Sequence, residues 1–420
     1  MTSVAGETWF QDKALKRVMA LLNADGGEGR VAGGAVRNAL MGLAVADVDI
    51  ATTLRPDIVV ERAKASGIKA VPTGIEHGTV TLVVDGRGFE VTTLRRDIET
   101  NGRHAVVEFG TDWKADAERR DLTINALYAD AAGEVIDLIE GLKDIETHTV
   151  RFIGDASQRI AEDHLRILRF FRFFAYYGSG RPDADGLRAC ARAKDRLSSL
   201  SAERVWSETK KLFSAPDPSR ALLWMRQAGV LAAILPETEK WGIDAIHGLV
   251  AAEAALGWKA DPLLRLAAIV PPDVERLEAL SKRLRLSNAD ALRLAQSAAT
   301  PVPPDEVTDV GFARLLYRHG REGMVFRLKL ALSSARAAAE GDPLAMRRSA
   351  RLFQLLAAAD KYQKPVFPLS GQDVISAGVP AGKRVGDILK QLEEFWIGRN
   401  FLPERPELAA RLADMVGSGE

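Results

Sequence analysis

The feature that most constrains this chain is a change of pattern near residue 155. Before it, from about residue 30 to 130, short runs rich in Val, Ile and Thr alternate with Gly and Asp, as in strands joined by tight turns. After it, nearly every stretch spaces Leu and Ala three or four residues apart among Arg and Glu, the periodicity of amphipathic helices. Strands gathered at one end and helices at the other predict an α+β chain. The expected layout is a head over 1–150 with a mixed or antiparallel sheet, followed by an all-helical remainder. Proline clusters at 271–272, 301–304 and 365–368 interrupt the helical part and mark candidate joints. The expected helical modules are 151–215, 216–300 and 301–420. Within the head, residues 10–23 predict a helix. Thr79–Val84 and Phe89–Leu94 flank an Asp85-Gly86 pair suited to a hairpin turn.

Charge is distributed as unevenly as pattern. The whole chain balances 57 Lys and Arg against 57 Asp and Glu, which argues against a generic polyanion binder. By segment, residues 1–150 carry 17 basic and 24 acidic groups, a net of −7, and residues 151–420 carry 40 and 33, a net of +7. An acidic front half suits divalent cations, and a basic back half suits a phosphate backbone. The single cysteine, Cys190, excludes an internal disulfide framework and a multi-cysteine zinc site, and fits a reducing compartment. The N-terminal run lacks a secretory pattern, and the apolar stretch 221–235 is too short to span a bilayer and contains Arg226. The expectation is a cytoplasmic protein with no membrane partner, as a monomer or a homodimer.

Four clusters carry chemistry. The first is Arg30 to Asn38, in which a short strand enters Gly33-Gly34 and a helix starts near Ala35. Glycines there let backbone approach a ligand, a helix start favours phosphate oxygens, and Arg37 adds a charge-assisted donor. The second is Asp47-Val48-Asp49. In a strand over Val45–Ala51 both carboxylates share one face while Val48 and Ile50 take the other. Two such charges repel by about 4 kcal/mol at an effective dielectric near 20, so the pair shares a proton, is well solvated as a strand end, or holds a cation such as Mg²⁺. Glu90 alternates with Phe89 and Val91 and is the candidate third carboxylate, although alternation does not reveal which strands are neighbours. The third cluster, Arg119-Arg120-Asp121 with Asn125, fits either a surface ion pair or a grip on triphosphate and ribose.

The fourth is a long helix expected from Asp155, its N-cap, through Arg169. Asp163 and Arg166 share a face at a spacing of three. They fit either a surface salt bridge or a reader of base edges. As a reader, the carboxylate accepts and the guanidinium donates. Cytosine and adenine each offer an amino donor beside a ring acceptor, and guanine and uracil reverse that order. A reader made this way would accept C and A and reject G and U.

With these blocks in order the chain resembles the family of CCA-adding tRNA nucleotidyltransferases and bacterial poly(A) polymerases, class II of the polymerase-β-like nucleotidyltransferases. The matching stretches are GGAVRNALMG with ADVDIATT, FEVTTLRRD, ERRDLTINALY, the Gly141 to Asp144 element, and RIAEDHLRILRFFRF, covering most of 30–175. The resemblance implies that Asp47 and Asp49 bind two Mg²⁺ ions with Glu90 at the third position. It implies that Gly33, Gly34 and Arg37 hold the triphosphate of CTP or ATP. Arg120, Asp121 and Asn125 would contact phosphate and ribose, and Asp163 and Arg166, flanked by Glu162 and Arg169, would read the base. The segment from Arg96 to Lys114 matches the family's flexible loop at full length. Asn38 departs from the family's usual aspartate. The histidines form no His-Asp hydrolase signature, so no attached phosphohydrolase is expected. In the tail, Lys383 and Arg384 in a Gly-rich turn fit either RNA phosphate binding or a plain helix corner. The end from Leu402 to Glu420 lacks the basic extension common in poly(A) polymerases. The implied activity is untemplated addition of C, C and A to the 3′ end of tRNA with release of pyrophosphate. Poly(A) addition, CC-only or A-only addition, and non-catalytic RNA binding are the alternatives.

Overall fold

The structure, a computed structural model, describes residues 2–101, 104–239 and 242–417, without the side chains of 96–107. It divides into two compact units, one of residues 1–243 and 260–262, the other of 244–259 and 263–420.

The first unit opens with helix α1 (Lys13–Leu22), capped by Asp12, whose carboxylate accepts from the backbone N–H groups of Ala14 and Leu15. The strands are β1 (Gly29–Ala32), β2 (Asp49–Thr52), β3 (Lys69–Gly74), β4 (Thr79–Val84), β5 (Arg87–Thr93), β6 (Arg95–Asn101), β7 (His104–Phe109), β8 (Leu127–Ala129) and β9 (Val135–Asp137). Seven of them form one sheet in the order β3-β4-β5-β2-β1-β8-β9, and β6 pairs with β7 apart from it. Only the β2–β5 pair of the large sheet is parallel; the others are antiparallel. This is the mixed sheet expected of the head.

The β4–β5 hairpin turns on Asp85 and Gly86, both with positive φ (51° and 79°), the backbone of a two-residue turn matched to strand twist. Such a turn starts pairing at once, so Val84 lies opposite Arg87. Strand β5 therefore begins two residues before Phe89, although Arg87 and Gly88 are poor strand formers. The strand read over Val45–Ala51 is also shorter: β2 starts at Asp49, and Asp47 lies on the loop before it. The alternation survives that change, with Val48 and Ile50 buried and Asp47 and Asp49 exposed.

The long helix expected from Asp155 is two helices, which corrects that reading. Named in chain order after α1, the helices here are α2 (Gly34–Leu40), α3 (Pro56–Ala65), α4 (Trp113–Glu118), α5 (Gly141–Glu146), α6 (Ala156–Glu162), α7 (Leu165–Tyr177), α8 (Ala184–Ala193), α9 (Ala202–Phe213), α10 (Ser219–Gln227) and α11 (Val230–Ile234). Asp155 caps α6 by accepting from the Gln158 N–H. At Asp163 the backbone turns extended (φ −152°, ψ 109°) and α6 ends. The Asp163 carboxylate accepts from the Leu165 N–H at 3.1 Å, a capping contact at the first residue of α7.

The second unit is helical, from Ala245–Leu256 to Arg405–Gly417. One core packs Met324, Leu328 and Leu332 with Leu352 and Leu355. Another packs Ile388, Leu392 and Trp396 with Leu408 and Leu412. The proline clusters all fall between helices. Lys383 and Arg384 are exposed and open the helix Lys383–Gly398, preceded by Gly382.

Candidate active site

The first unit holds a cavity of about 720 Å³ lined by residues from every cluster singled out in the head and at the α6–α7 break. Its floor is the sheet. Strand β1 runs into Gly33, which takes φ 68° and caps α2. A Cβ on Gly33 would stand 3.2 Å from both Arg120 Nη1 and the Asn125 carbonyl oxygen. The bare turn is what lets Arg120 lie against the backbone there. Gly34 and Arg37 line the same wall.

Strand pairing brings the acidic groups together. In the parallel register of β2 and β5, Asp49 is the direct partner of Glu90, and both side chains face the cavity. The Asp49 carboxyl is raised above its ordinary range, first by desolvation in the cleft and then by Glu90, with Arg120 opposing and Asp47 adding a smaller push. A carboxyl held up in this way is relieved by a bound cation, and Mg²⁺ needs only one or two carboxylates when phosphates complete its shell. The donor set fits such an ion. Asp47 does not line the cavity, and among the described residues no three His, Cys, Asp or Glu side chains converge on a common point. The reason is local: Asp47 precedes the ladder that fixes the other two.

The arginine wall is organised by a residue that sequence reasoning missed. Asp116 of α4 is buried and accepts from Arg119 at 2.5 Å, Arg120 at 3.1 Å and the Tyr128 hydroxyl at 2.8 Å. Its spacing of three and four to the arginines is the signal that would have found it. Burial alone would raise the Asp116 carboxyl, but Arg120 and Arg119 outweigh it and hold it below the usual range. Asp121 behaves alike: burial opposes ionisation, and Arg169, at 2.6 Å, with Asn125 reverses the shift. A carboxylate depressed in the fold stabilises above its unfolded pKa of about 3.9 and loses that contribution as pH falls through its lower folded value. Asp116→Asn should therefore cost about 3–5 kcal/mol near neutral pH, by removing the buried charge that the half-buried guanidiniums of Arg119 and Arg120 share. It should also make urea stability less steep between pH 5 and 3, and an unchanged pH slope would contradict the network.

At the α6–α7 break the two candidate base readers line the cavity without pairing to each other. Asp163 binds Arg204 of α9 at 2.7 Å. Arg166 commits Nη1 to Glu162 at 2.5 Å and to the Arg159 carbonyl at 2.9 Å, which leaves Nε and Nη2 for a ligand. Of the two readings open for this pair, the direct salt bridge is absent, and two flanking ion pairs take its place. Glu162 itself does not line the cavity and acts on it through Arg166. Arg204 had no local signal, since it lies 41 residues from Asp163. Beneath the 123–125 turn, buried Asp144 accepts from Thr123 at 2.5 Å and from Arg151 at 3.0 Å, bracing the loop that carries Asn125. The loop expected over Arg96–Lys114 is the β6–β7 hairpin followed by the start of α4, but Gly102, Arg103 and the side chains of 96–107 lie outside the described residues. Lys383 and Arg384 belong to the other unit.

Residues 29–151 match the family model of the poly(A) polymerase head domain, and 182–241 match that of the probable RNA and SrmB-binding site of polymerase A. Fold and site define a nucleotidyltransferase of the poly(A) polymerase head class. The mitochondrial CCA tRNA nucleotidyltransferase 1 of Mus musculus is 33% identical, over 94% of this chain and 89% of its own length. The CCA-adding enzyme of Limosilactobacillus fermentum is 30% identical over 89% and 90%. The crystal structure of the Bacillus stearothermophilus CCA-adding enzyme in complex with CTP superposes with a TM-score of 0.74 at 26% identity, covering 97% of this chain and 98% of that one. The chain belongs to the family of CCA-adding tRNA nucleotidyltransferases. No described helix is long and apolar enough to cross a membrane.

Proposed function

We propose that this protein adds C, C and A to the 3′ end of tRNA from CTP and ATP, releasing pyrophosphate. The observation that carries the reading is one cavity faced by both a carboxylate pair in strand register, Asp49 and Glu90, and an acceptor and a donor side chain, Asp163 and Arg166. The relatives named for CCA addition and the nucleotide complex of a structural neighbour support the substrates.

Two Mg²⁺ ions would be held by Asp47 and Asp49 with Glu90 beside them. The chemistry such ions would supply is a lowered pKa for the attacking 3′-hydroxyl and compensation of charge on the triphosphate. The remaining work is positioning and charge stabilisation by the chain itself. Gly33 and Gly34 bring backbone against the phosphates, Arg37 and Arg120 supply cationic donors, and Asp121 and Asn125 meet phosphate and ribose. Arg169 steadies Asp121, and Arg204 and Glu162 aim the two readers. In the modules 151–215, 216–300 and 301–420 we assign base reading, support and tRNA binding respectively, with Lys383 and Arg384 as phosphate contacts in the last. The single, buried Cys190 suits a reducing, cytosol-like compartment.

The test is extension of tRNA ending before CCA, at CC and at CCA, with each labelled nucleotide alone and together. Addition of C, C and A followed by a stop is expected. Unlimited A addition would make the protein a poly(A) polymerase, an outcome the shared head model leaves open. A stop at CC would mean that a second enzyme completes the end.

A further inference from the structure

Arg37 is 6% exposed, yet none of its hydrogen-bond partners is charged. Its Nη1 donates to Asn125 Oδ1, its Nη2 to the Tyr177 hydroxyl at 2.7 Å and to Asn38 Oδ1 at 2.8 Å, and its Nε to the same Asn38 oxygen at 3.1 Å. The Tyr177 ring lies 3.9 Å from the guanidinium carbon. Burial holds the Arg37 guanidinium below its ordinary range; Tyr177 and Asp121 oppose that shift, and Arg172 and Arg169 add to it. A buried guanidinium held by neutral groups alone is incompletely compensated, because a desolvated charge is costly until a counter-charge arrives.

The residue that decides this is Asn38. Its orientation is fixed, since Arg37 has only donors and the Ala44 carbonyl only accepts. Asn38 Oδ1 must face Arg37, and Nδ2 donates to Ala44 at 3.0 Å. That second bond, with the Leu43 N–H to Asn38 carbonyl bond of 2.8 Å, ties α2 to the loop leading to Asp47 and Asp49. A carboxylate at 38 would accept from Arg37 equally well, but it would neutralise the guanidinium and could not donate to Ala44.

We propose that Asn38 is a positioning residue that leaves the charge of Arg37 uncompensated, so that the polyphosphate of the incoming nucleotide supplies the missing counter-ion. This deepens the nucleotide reading of the same cavity and rests on it. It implies a trade between the empty and the loaded protein. Adding a negative charge at 38 stabilises the empty fold and weakens polyphosphate binding.

The experiment compares wild type, N38D and N38A in the full chain. Inorganic pyrophosphate is titrated by calorimetry with EDTA present, thermal melts are recorded without ligand, and KM for CTP is measured in tRNA extension. N38D is expected to raise the melting temperature without ligand, to weaken pyrophosphate binding about tenfold, and to raise KM more than it lowers kcat. N38A, which is neutral, should lose less than a third as much affinity and should melt lower than wild type. Pyrophosphate affinity of N38D within twofold of wild type overturns the proposal, as does equal loss in both variants. Failure of the wild type to extend tRNA would instead sink the assigned activity, while the pyrophosphate titration would still report on Arg37.

Discussion

Asp49→Asn is expected to abolish nucleotide addition, by on the order of 10³-fold or more, while leaving the melting temperature unchanged or slightly higher. The size follows from removing an electrostatic group at the reacting centre, where such groups are worth several kcal/mol. The absence of a stability cost follows from the direction of its shift. Burial and then Glu90 raise the Asp49 carboxyl, so the folded protein holds that proton more tightly than the unfolded chain. This group favours the fold at low pH, and its contribution fades as pH rises through the raised folded value, opposite to Asp116 and Asp121. An amide has the same shape without the repulsion. The same sign governs the cation. It competes with a proton, so its apparent affinity should climb with pH through the acid range in wild type and lose most of that dependence in the variant. Single-turnover extension with parallel melts decides the matter, and an Asp49→Asn protein within tenfold of wild-type rate would refute the assignment.

The second large effect concerns nucleotide choice. Asp163→Asn should reduce C and A addition about 10–100-fold and raise the relative incorporation of U. The carbonyl oxygen of the new amide would still be drawn to Arg204, the partner of Asp163 at 2.7 Å. Its NH₂ would then face the incoming base. A donor there opposes the amino groups of cytosine and adenine and matches the carbonyl of uracil, and one such bidentate mismatch is worth about 1–3 kcal/mol. Exchanging Asp163 with Arg166 is a poorer test than it looks from spacing alone. The exchange would set an arginine against Arg204 and an aspartate against Glu162, both like-charge contacts in a partly buried wall. Competition among the four nucleoside triphosphates on one tRNA end supplies the readout. An unchanged ratio of C to U would remove Asp163 from base recognition.

Much of the head is legible in the sequence alone. Period-two alternation put Asp47 and Asp49 on the side opposite Val48 and Ile50, and Glu90 opposite Phe89 and Val91, because one face of each strand must be apolar. Pairing between strands could not be read that way. Nothing in either stretch states that β2 lies beside β5, a parallel contact whose strands are separated by 34 residues. The α6–α7 break escaped for a different reason: Asp163 and His164 fit a helix pattern, and only the capping of Leu165 and the pull of Arg204 favour the interruption. Asp116 looked like one more acid among several, and burial between two arginines and a tyrosine sets it apart.

The β2–β5 register has a consequence for how this site can change over time. Neighbouring strands lie about 4.8 Å apart whatever side chains they carry, so the gap between Asp49 and Glu90 is gauged by backbone hydrogen bonds rather than by the shape of the core. Core residues are then free to drift with little effect on that gap. Register moves only in whole residues, however. Loss of one residue within β5 ahead of Glu90 would swing Phe89 into the cleft and bury the acid. The carboxylate pair tolerates broad substitution around it and almost no insertion or deletion within the strands that carry it. Lineages descending from this chain should record their history as exchanges inside β2 and β5, and as length changes only in the loops beyond.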